Sequence, residues 1–454
     1  MPGSLRTTLI TVAGLSGIGS AGGYYYFKTI DKESQLVAPV KEAYVPKHYD
    51  RRPFQLLSKE EIDKRLRSGQ FANQIQVNYV KAVYTNQLPS NNPVEDTFSI
   101  NTFQQGLIAG VYDGHIGPHC SKLIRQQLPI YMARELNKQH SRSEQDIENA
   151  ISTAFVDLDQ DIQQRFYDIF PKNLKRTTEK DIQAAVARQP DQQATQAIID
   201  EAINGSCALT VYLKDGVVYS ANTGDSRVVI ISQDEDGSWK GRRLVEEESP
   251  ANPDWRAHMI SQHPSEESNA LIVRNRIFGL IAVGGSNYRT PPYLSSRPLV
   301  SRHKLQKGDK FIVLGTDGLW DELSWYDVRS TDGDQVAAEI MSRWKTKGEM
   351  NPATHLVREA LLFDAVYKNV RAKEPVENEE FELSKRLTRQ PSRYFRDDIT
   401  VTVIELGAQS NTELDLINVG PVYQAKEVEA DVPRLADPSK KRQSWFSGWA
   451  WSRL

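Results

Sequence analysis

Four short acidic patches, each next to an apolar stretch, contain the side chains of this chain that are best suited to chemistry. They are Glu95-Asp96, Asp113-Gly114-His115, Asp317-Gly318 and Asp397-Asp398. The apolar stretches have the length and composition of buried strands, so we expect the carboxylates where strands meet turns. Carboxylate oxygens without a His/Cys ligand pattern favour Mg²⁺ or Mn²⁺ over zinc. The pattern therefore predicts a site for hard cations.

Each patch on its own is explained by a turn, because Asp-Gly after an apolar run is a common turn signal. The order and number of the patches favour a shared site instead. Two further segments agree, Gly-Ser-Cys-Ala-Leu-Thr-Val at 205–211 and Ala-Asn-Thr-Gly-Asp-Ser-Arg at 221–227. With all of these segments in order, residues 91–406 resemble the metal-dependent serine/threonine protein phosphatases of type 2C.

Three segments resemble the pyruvate dehydrogenase phosphatase branch of that family. They are Asn-Asn-Pro-Val-Glu-Asp at 91–96, Tyr-Arg-Thr-Pro-Pro-Tyr-Leu at 288–294 and the run 309–320. Many other members of the family have an arginine where this chain has Asn91, and use it on the substrate phosphate. The resemblance therefore implies that this chain lacks one bidentate phosphate contact.

The order of helical and strand-like patterns predicts an α+β fold. A capping box at Ser143 and Asp146 opens a helical pattern that extends to residue 166, and residues 334–344 and 354–367 also have helical spacing. Lys214-Asp215-Gly216 predicts a β-hairpin. Residues 172–203 have weak helical periodicity and no strong apolar face, which predicts a solvated, helical surface insert. Residues 374–393 predict a mobile, charged loop. The resemblance implies a four-layer α/β/β/α sandwich with two central antiparallel β-sheets.

The resemblance also assigns roles to the residues of the patches. It implies two Mg²⁺ or Mn²⁺ ions, with Asp113 bridging both, the Gly114 carbonyl bound to one, and Asp317 and Asp397 bound to the other. Glu95 and Asp96 orient metal-bound waters, and Asp225 is a candidate ligand of a further ion. A water held by divalent cations has a pKa lowered toward neutrality and can attack phosphorus.

His115 follows Asp113 by two residues, where it could protonate the departing serine or threonine oxygen. A lone histidine is more often structural, but this one lies beside the predicted metal ligands. We expect His115 and Asp96 to be the catalytic residues.

The organisation of the whole chain is expected to place one large catalytic domain at residues 54–407. A targeting or transmembrane segment precedes it at 1–30, a linker at 31–53, and a C-terminal tail follows at 408–454. Residues 7–27 are uncharged and long enough to span a bilayer, although glycines lower their hydrophobicity. A cleaved secretory signal or a mitochondrial presequence competes with a retained anchor. Likeness to the mitochondrial branch favours a mitochondrial membrane.

Composition limits the partners. The 454 residues have a net charge of −3, and their lysines and arginines are dispersed along the chain. Nucleic acid is therefore not an expected partner. Only two cysteines are present, Cys120 and Cys207, which gives no disulfide framework or zinc pattern. We expect both to be buried thiols.

One departure from the family concerns residues 276–287, which run almost directly into Tyr288. The family normally has an Arg-Ala-Phe-Gly-Asp-like stretch between these regions.

The leading hypothesis is a membrane-tethered Mg²⁺/Mn²⁺-dependent protein phosphatase that acts on a mitochondrial phosphoprotein, the E1 alpha subunit of pyruvate dehydrogenase. The alternative is a catalytically impaired binding or regulatory protein on the same fold. A phosphatase of small phosphoesters is a third, weaker hypothesis.

Overall fold

The structure is a computed structural model. It describes residues 53–75, 77–139, 143–170, 178–250, 252–267, 271–273, 276–277, 293–323, 332–348, 351–372, 378–407, 422–424 and 426–428. The predicted N-terminal segment at 1–30, nearly all of the linker, most of the tail and most of the stretch 276–292 lie outside these residues. Among the helices that the structure does describe, none combines the length and the apolar character that a bilayer span requires.

Two β-sheets form the centre of the molecule. The seven-stranded sheet has the order β10-β9-β14-β15-β2-β1-β16, and the six-stranded sheet has the order β13-β8-β7-β4-β3-β17. Neighbouring strands are antiparallel, except for one parallel pair at an edge of each sheet, β1 with β16 and β3 with β17. The strands are β1 Phe71–Gln74, β2 Val80–Leu88, β3 Thr97–Phe103, β4 Gly106–Tyr112, β5 Gly114–His115, β6 Gly205–Ser206, β7 Ala208–Lys214, β8 Val217–Thr223, β9 Arg227–Gln233, β10 Trp239–Arg243, β11 Ile272–Val273, β12 Arg276–Ile277, β13 Leu299–Lys304, β14 Asp309–Gly315, β15 Ile399–Leu406, β16 Val422–Gln424 and β17 Lys426–Glu427.

Helices cover the outer face of each sheet. They are α1 Lys59–Arg67, α2 His119–Asn137, α3 Glu144–Tyr167, α4 Glu179–Ala187, α5 Gln192–Ile203, α6 Pro253–Ser261, α7 Asp317–Leu323, α8 Gly333–Ser342, α9 Trp344–Lys347, α10 Pro352–Ala372 and α11 Glu379–Thr388. A short 3₁₀ turn, Ser392–Tyr394, follows α11.

The alternation of side chains along the strands builds three apolar layers. Along β14, Ile312 and Leu314 lie in the layer between the two sheets, whereas Phe311 and Val313 lie in the layer under helices α7, α8 and α10. On the other side of the molecule, the six-stranded sheet packs against α2 and α3. The predicted α/β/β/α sandwich with two central sheets is therefore confirmed.

Several local predictions are also confirmed. Helix α3 begins after Ser143, whose side chain accepts a hydrogen bond from the Asp146 amide. The hairpin between β7 and β8 turns at Asp215 and Gly216, which have φ angles of 51° and 76°. Both values lie in the left-handed region that a tight hairpin turn requires, and Asp-Gly adopts it readily.

Two segments differ from their predictions. Residues 379–388 form helix α11 rather than a mobile loop, because Leu383 and Leu387 bury one face of an otherwise charged helix. The expected surface insert contains α4 and α5, whose Ile182 and Ile199 form a small separate core with Phe170.

Candidate metal centre

Three carboxylates converge at strand ends, each from a different part of the chain. Asp113 follows β4 of the six-stranded sheet, and Asp317 follows β14 of the seven-stranded sheet by two residues. Asp225 lies in the turn between β8 and β9, where the chain passes from one sheet to the other. One oxygen of each carboxylate lies within 4.8 Å of the other two. The structure thus brings the predicted ligands Asp113 and Asp317 together with Asp225.

Close backbone packing fixes this arrangement. The Cys207 amide donates a hydrogen bond of 2.9 Å to the Asp113 carbonyl, which joins the end of β4 to the start of β7. Gly224, just before Asp225, has a φ of 110° and lies so close to Cys207 that a Cβ atom would be 2.3 Å from its Sγ. Only glycine fits such a turn without strain. The close packing of Gly224 against Cys207 therefore fixes the position of Asp225.

The two cysteines differ in burial. Cys120 is buried, as predicted, whereas Cys207 is partly exposed as a residue while its thiol group is enclosed. The Cys207 Sγ lies 3.3 Å from the Asp225 Oδ1 and acts as its hydrogen-bond donor. Burial, with smaller effects of Asp225 and Asp113, raises the pKa of the Cys207 thiol. The thiol therefore stays protonated and supports the Asp225 carboxylate.

The electrostatics of the three carboxylates favour a bound cation. Burial raises the pKa of Asp113 well above its usual range, and the negative charges of Asp317, Asp96 and Asp225 raise it further. Burial also raises the pKa of Asp317, followed by the charge of Asp225. Within the described part of the chain, the buried Asp317 Oδ1 has no hydrogen-bond partner. An unpaired buried oxygen among mutually repelling carboxylates is the environment that a divalent cation satisfies.

A neighbouring loop, residues 90–96, is held by Asp398. The Asp398 Oδ2 accepts hydrogen bonds from the Glu95 amide at 2.8 Å and from the Asn91 Nδ2 at 3.1 Å. Its Oδ1 accepts from the amides of Asn91 at 2.9 Å and Ser90 at 2.5 Å. The side chain is almost fully buried. Asp398 thus positions the backbone on which Glu95 and Asp96 lie, a role that the sequence did not reveal.

Asp96 is fixed from the seven-stranded sheet. The Asp96 Oδ2 accepts a hydrogen bond of 2.8 Å from the Thr316 Oγ1. The Thr316 Oγ1 in turn accepts a hydrogen bond of 3.1 Å from the Thr400 amide. Burial and the charge of Asp398 raise the pKa of Asp96 well above its usual range, although the threonine hydroxyls lower it. Thr316, which directly precedes Asp317, therefore connects Asp96 to the segment that carries Asp317.

Glu95 and Gly114 lie against each other. A Cβ atom on Gly114 would be 2.4 Å from the Glu95 carbonyl oxygen and 2.9 Å from the Ser121 Oγ, so glycine is required here. Burial, followed by the charge of Asp398, raises the pKa of Glu95, while Arg393 and His115 lower it. The Glu95 carboxyl is thus within electrostatic range of His115, as the predicted site requires.

Asp397 lies beside the group of three carboxylates rather than within it. A Cβ atom on Gly318 would be 3.3 Å from the Asp397 Cβ and 1.9 Å from the Asp398 carbonyl oxygen. Gly318 thereby allows the start of α7 to approach the start of β15. The Asp397 carboxylate forms an ion pair with Arg393. Its predicted role as a metal ligand stays a prediction, as do those of Glu95 and the Gly114 carbonyl.

His115 lies at the edge of the site. Its Nδ1 is 4.0 Å from the Asp113 Oδ1, and its side chain is 31% exposed. The next residue, Ile116, is exposed and has a φ of 68°, which is strained for a β-branched side chain. Backbone strain of this kind is typical of functional sites. The His115 imidazole lies beside the carboxylates and is accessible from solvent.

An ionic network behind the site could not be predicted from the sequence. Arg227 donates to Glu247 at 3.0 Å and to Asp334 at 2.8 Å, and its guanidinium lies 5.0 Å from the Trp320 ring centroid. Trp320 belongs to α7, which begins at Asp317. Arg227 therefore ties the strand after Asp225 to the helix of Asp317. Its partners are distant in sequence, so no local signal could have identified them.

Comparison with known proteins agrees with this geometry. Residues 104–362, more than half of the chain, match the family model described as protein phosphatase 2C. The chain belongs to the protein phosphatase 2C family. It is accordingly a protein phosphatase, a hydrolase. The matched range includes Asp113, Asp225 and Asp317, whereas Glu95, Asp96 and Asp397 lie outside it.

Several similar proteins are named as mitochondrial phosphatases. The chain is 26% identical over 434 residues to human pyruvate dehydrogenase (acetyl-transferring) phosphatase 1, mitochondrial, covering 72% of this chain and 79% of the relative. It is 27% identical to the Saccharomyces cerevisiae protein of that name, covering 77% of this chain and 73% of the relative. The solved serine-threonine phosphatase 2C from Toxoplasma gondii is 15% identical, with a TM-score of 0.45, over 74% of this chain and 98% of its own. The family resemblance is confirmed, with the pyruvate dehydrogenase phosphatase branch among the relatives.

Proposed function

We propose that this protein is a Mg²⁺/Mn²⁺-dependent protein serine/threonine phosphatase. The observation that supports this most is the convergence of Asp113, Asp225 and Asp317, whose carboxylate oxygens lie within 4.8 Å of one another. The unpaired Asp317 Oδ1 and the raised pKa values of Asp113 and Asp317 fit oxygen-coordinated cations. The absence of a His/Cys ligand pattern in this group favours Mg²⁺ or Mn²⁺ over zinc.

The residues that would hold two such ions are Asp113, Asp317, Asp397, the Gly114 carbonyl and, through water, Glu95. Bound divalent ions neutralise charge on the phosphate and lower the pKa of water. Asp96, fixed by Thr316, and Glu95, held through its amide by Asp398, are in place to orient water through their carboxylates. Those carboxylates keep their positions because the loop 90–96 is tied to the start of β15.

His115 is the proposed proton donor to the leaving group. The Glu95 carboxylate lies within electrostatic range of its imidazole, and the Asp113 Oδ1 lies 4.0 Å from its Nδ1. At this position a protonated imidazole can transfer a proton to the departing serine or threonine oxygen. Loss of that proton leaves a neutral imidazole, which solvent reprotonates at the exposed edge of the site.

The proposed substrate is a mitochondrial phosphoprotein, the E1 alpha subunit of the pyruvate dehydrogenase complex. This rests on the names of the relatives, which are called mitochondrial pyruvate dehydrogenase phosphatases. The same names support a mitochondrial location. Attachment to a membrane through residues 1–30 is a separate proposal, supported by the uncharged run at 7–27. Deleting residues 1–30 should release the protein from carbonate-washed membranes, and retention of the truncated chain would refute the attachment.

The proposed activity is tested with the full chain after chelation of bound metals. Mn²⁺ or Mg²⁺ should restore release of phosphate from a phosphoserine peptide, and Ca²⁺ or Zn²⁺ should restore less. Comparison with p-nitrophenyl phosphate separates a protein phosphatase from an enzyme for small phosphoesters. Full activity in the presence of excess chelator would contradict the proposal, and no activity with any divalent ion would favour the impaired-protein alternative.

A further inference from the structure

An exposed arginine lies next to the carboxylates of the candidate metal centre. Arg393 belongs to the 3₁₀ turn Ser392–Tyr394, between α11 and β15. Its side chain is 49% exposed and forms an ion pair with Asp397, four residues later. The other half of the pair, Asp397, is a proposed metal ligand. Arg393 is therefore a solvent-accessible cation at the edge of the site.

The ion pair places Arg393 close to the start of α7. Its partner Asp397 packs against Gly318, where a Cβ atom would be 3.3 Å from the Asp397 Cβ, and Gly318 directly follows Asp317. Arg393 is thus a positive side chain beside the part of the site that contains Asp317 and Asp397.

The nearby polar side chains that could replace Arg393 have other partners. Arg396 is 6% exposed, and its guanidinium donates to the carbonyl oxygens of Leu88, Pro89, Asp397 and Arg386. Arg386 forms an ion pair with the buried Glu322. The Asn91 Nδ2 is bound to Asp398. Each of these groups stabilises the protein internally, whereas half of the Arg393 side chain faces solvent.

A phosphate monoester is a dianion, and carboxylates repel it. A guanidinium offers two parallel N–H groups that match two phosphate oxygens, and it stays charged at any pH at which the protein is folded. We propose that Arg393 binds the phosphate group of the substrate. This inference rests on the proposed function, since it assigns the phosphate contact within that same site. Cation binding by Asp397 would weaken the ion pair and leave the guanidinium free for the phosphate.

A purely structural role is the competing explanation, in which Arg393 only holds Asp397 in position. The two roles differ in what a substitution changes. Loss of a phosphate contact raises the KM for a phosphopeptide and weakens binding of inorganic phosphate, while the affinity for Mn²⁺ stays the same. Loss of support for Asp397 weakens Mn²⁺ binding and lowers kcat.

The test compares the wild-type chain with Arg393→Ala, Arg393→Lys and the control Arg188→Ala, which removes an exposed arginine from the end of α4. Calorimetry measures Mn²⁺ binding, and then binding of inorganic phosphate to the Mn²⁺-loaded protein. Arg393→Ala should weaken phosphate binding and raise the KM by about tenfold to hundredfold, the usual effect of losing a charge-assisted hydrogen bond. Arg393→Lys should recover only part of the loss, because lysine lacks the planar fork.

The outcomes separate this inference from the proposed function. Unchanged phosphate binding in Arg393→Ala would overturn the inference, as would a loss of Mn²⁺ affinity that accounts for the whole effect. Phosphate binding is measured at equilibrium, so it tests Arg393 even if the wild-type chain hydrolyses no phosphopeptide. Absence of phosphopeptide hydrolysis by the wild-type chain would refute the proposed activity alone. The control Arg188→Ala should match wild type in every measurement.

Discussion

Asp398 is expected to be the side chain on which the order of the loop 90–96 depends most. Replacing it with alanine removes the acceptor of three backbone N–H groups, those of Ser90, Asn91 and Glu95, and of the Asn91 side chain. A buried donor left without a partner costs about 1–3 kcal/mol. The loop is partly exposed, so water replaces some of these partners and the lower part of that range applies. For three amides, Asp398→Ala should lower the free energy of unfolding by about 3–5 kcal/mol.

Urea unfolding followed by circular dichroism measures this change. The matched control is Asn91→Ala, which removes only the hydrogen bond of 3.1 Å between Asn91 Nδ2 and Asp398 and should cost about 0.5–1.5 kcal/mol. Asp398→Asn keeps the shape of the side chain but turns a donor toward the Glu95 amide, so it should fall between the two. A loss of less than about 1 kcal/mol for Asp398→Ala would refute the reasoning, because it would mean that the loop does not depend on this carboxylate.

Three further predictions concern the site and its surroundings. His115→Ala should slow hydrolysis of a phosphoserine peptide more than that of p-nitrophenyl phosphate, whose leaving group needs little proton assistance; equal losses on both substrates would remove His115 from the acid role. Burial raises the pKa of Cys120 to about 12, so at pH 8 its thiolate fraction is roughly a thousandfold lower than that of a free cysteine. Iodoacetamide should therefore modify Cys120 only after unfolding, and rapid labelling of the native protein, read by mass spectrometry, would contradict its burial. Arg227→Met should lower the free energy of unfolding by about 1–3 kcal/mol, because Glu247 and Asp334 lose one of their two shared partners and keep Arg243; the control Lys240→Met, which affects an exposed pair with Asp234, should change it much less.

The positions of the metal-binding candidates could be predicted because they follow from strand ends. Asp113 and Asp317 come after apolar runs, and the family resemblance indicated that both belong to one metal site. The role of Asp398 could not be predicted in this way. It stands next to Asp397 in the sequence, and only the tertiary structure shows that it accepts hydrogen bonds from residues about 300 positions earlier.

The errors in the fold have a similar cause. The charged composition of residues 379–388 hid two leucines, Leu383 and Leu387, whose four-residue spacing buries one face of a helix. The insert at 172–203 was expected to have no strong apolar face, yet Ile182 and Ile199 pack against the end of α3 and the residues after it. A small number of apolar residues at helical spacing decided the structure, because burial of even a narrow stripe stabilises a helix.

Phosphatase activity is proposed to require divalent cations bound by Asp113 and Asp317, with Asp225 as the candidate ligand of a further ion. The most direct measurement is Mn²⁺-dependent release of phosphate from a phosphoserine peptide by the full chain and by its Asp317→Asn variant. Asp236→Asn, which neutralises an exposed carboxylate in the turn between β9 and β10, is the matched control. Asp317→Asn should fold normally but lose Mn²⁺-dependent turnover, while Asp236→Asn should keep it. A folded Asp317→Asn protein with wild-type turnover would show that Asp317 binds no cation on which activity depends.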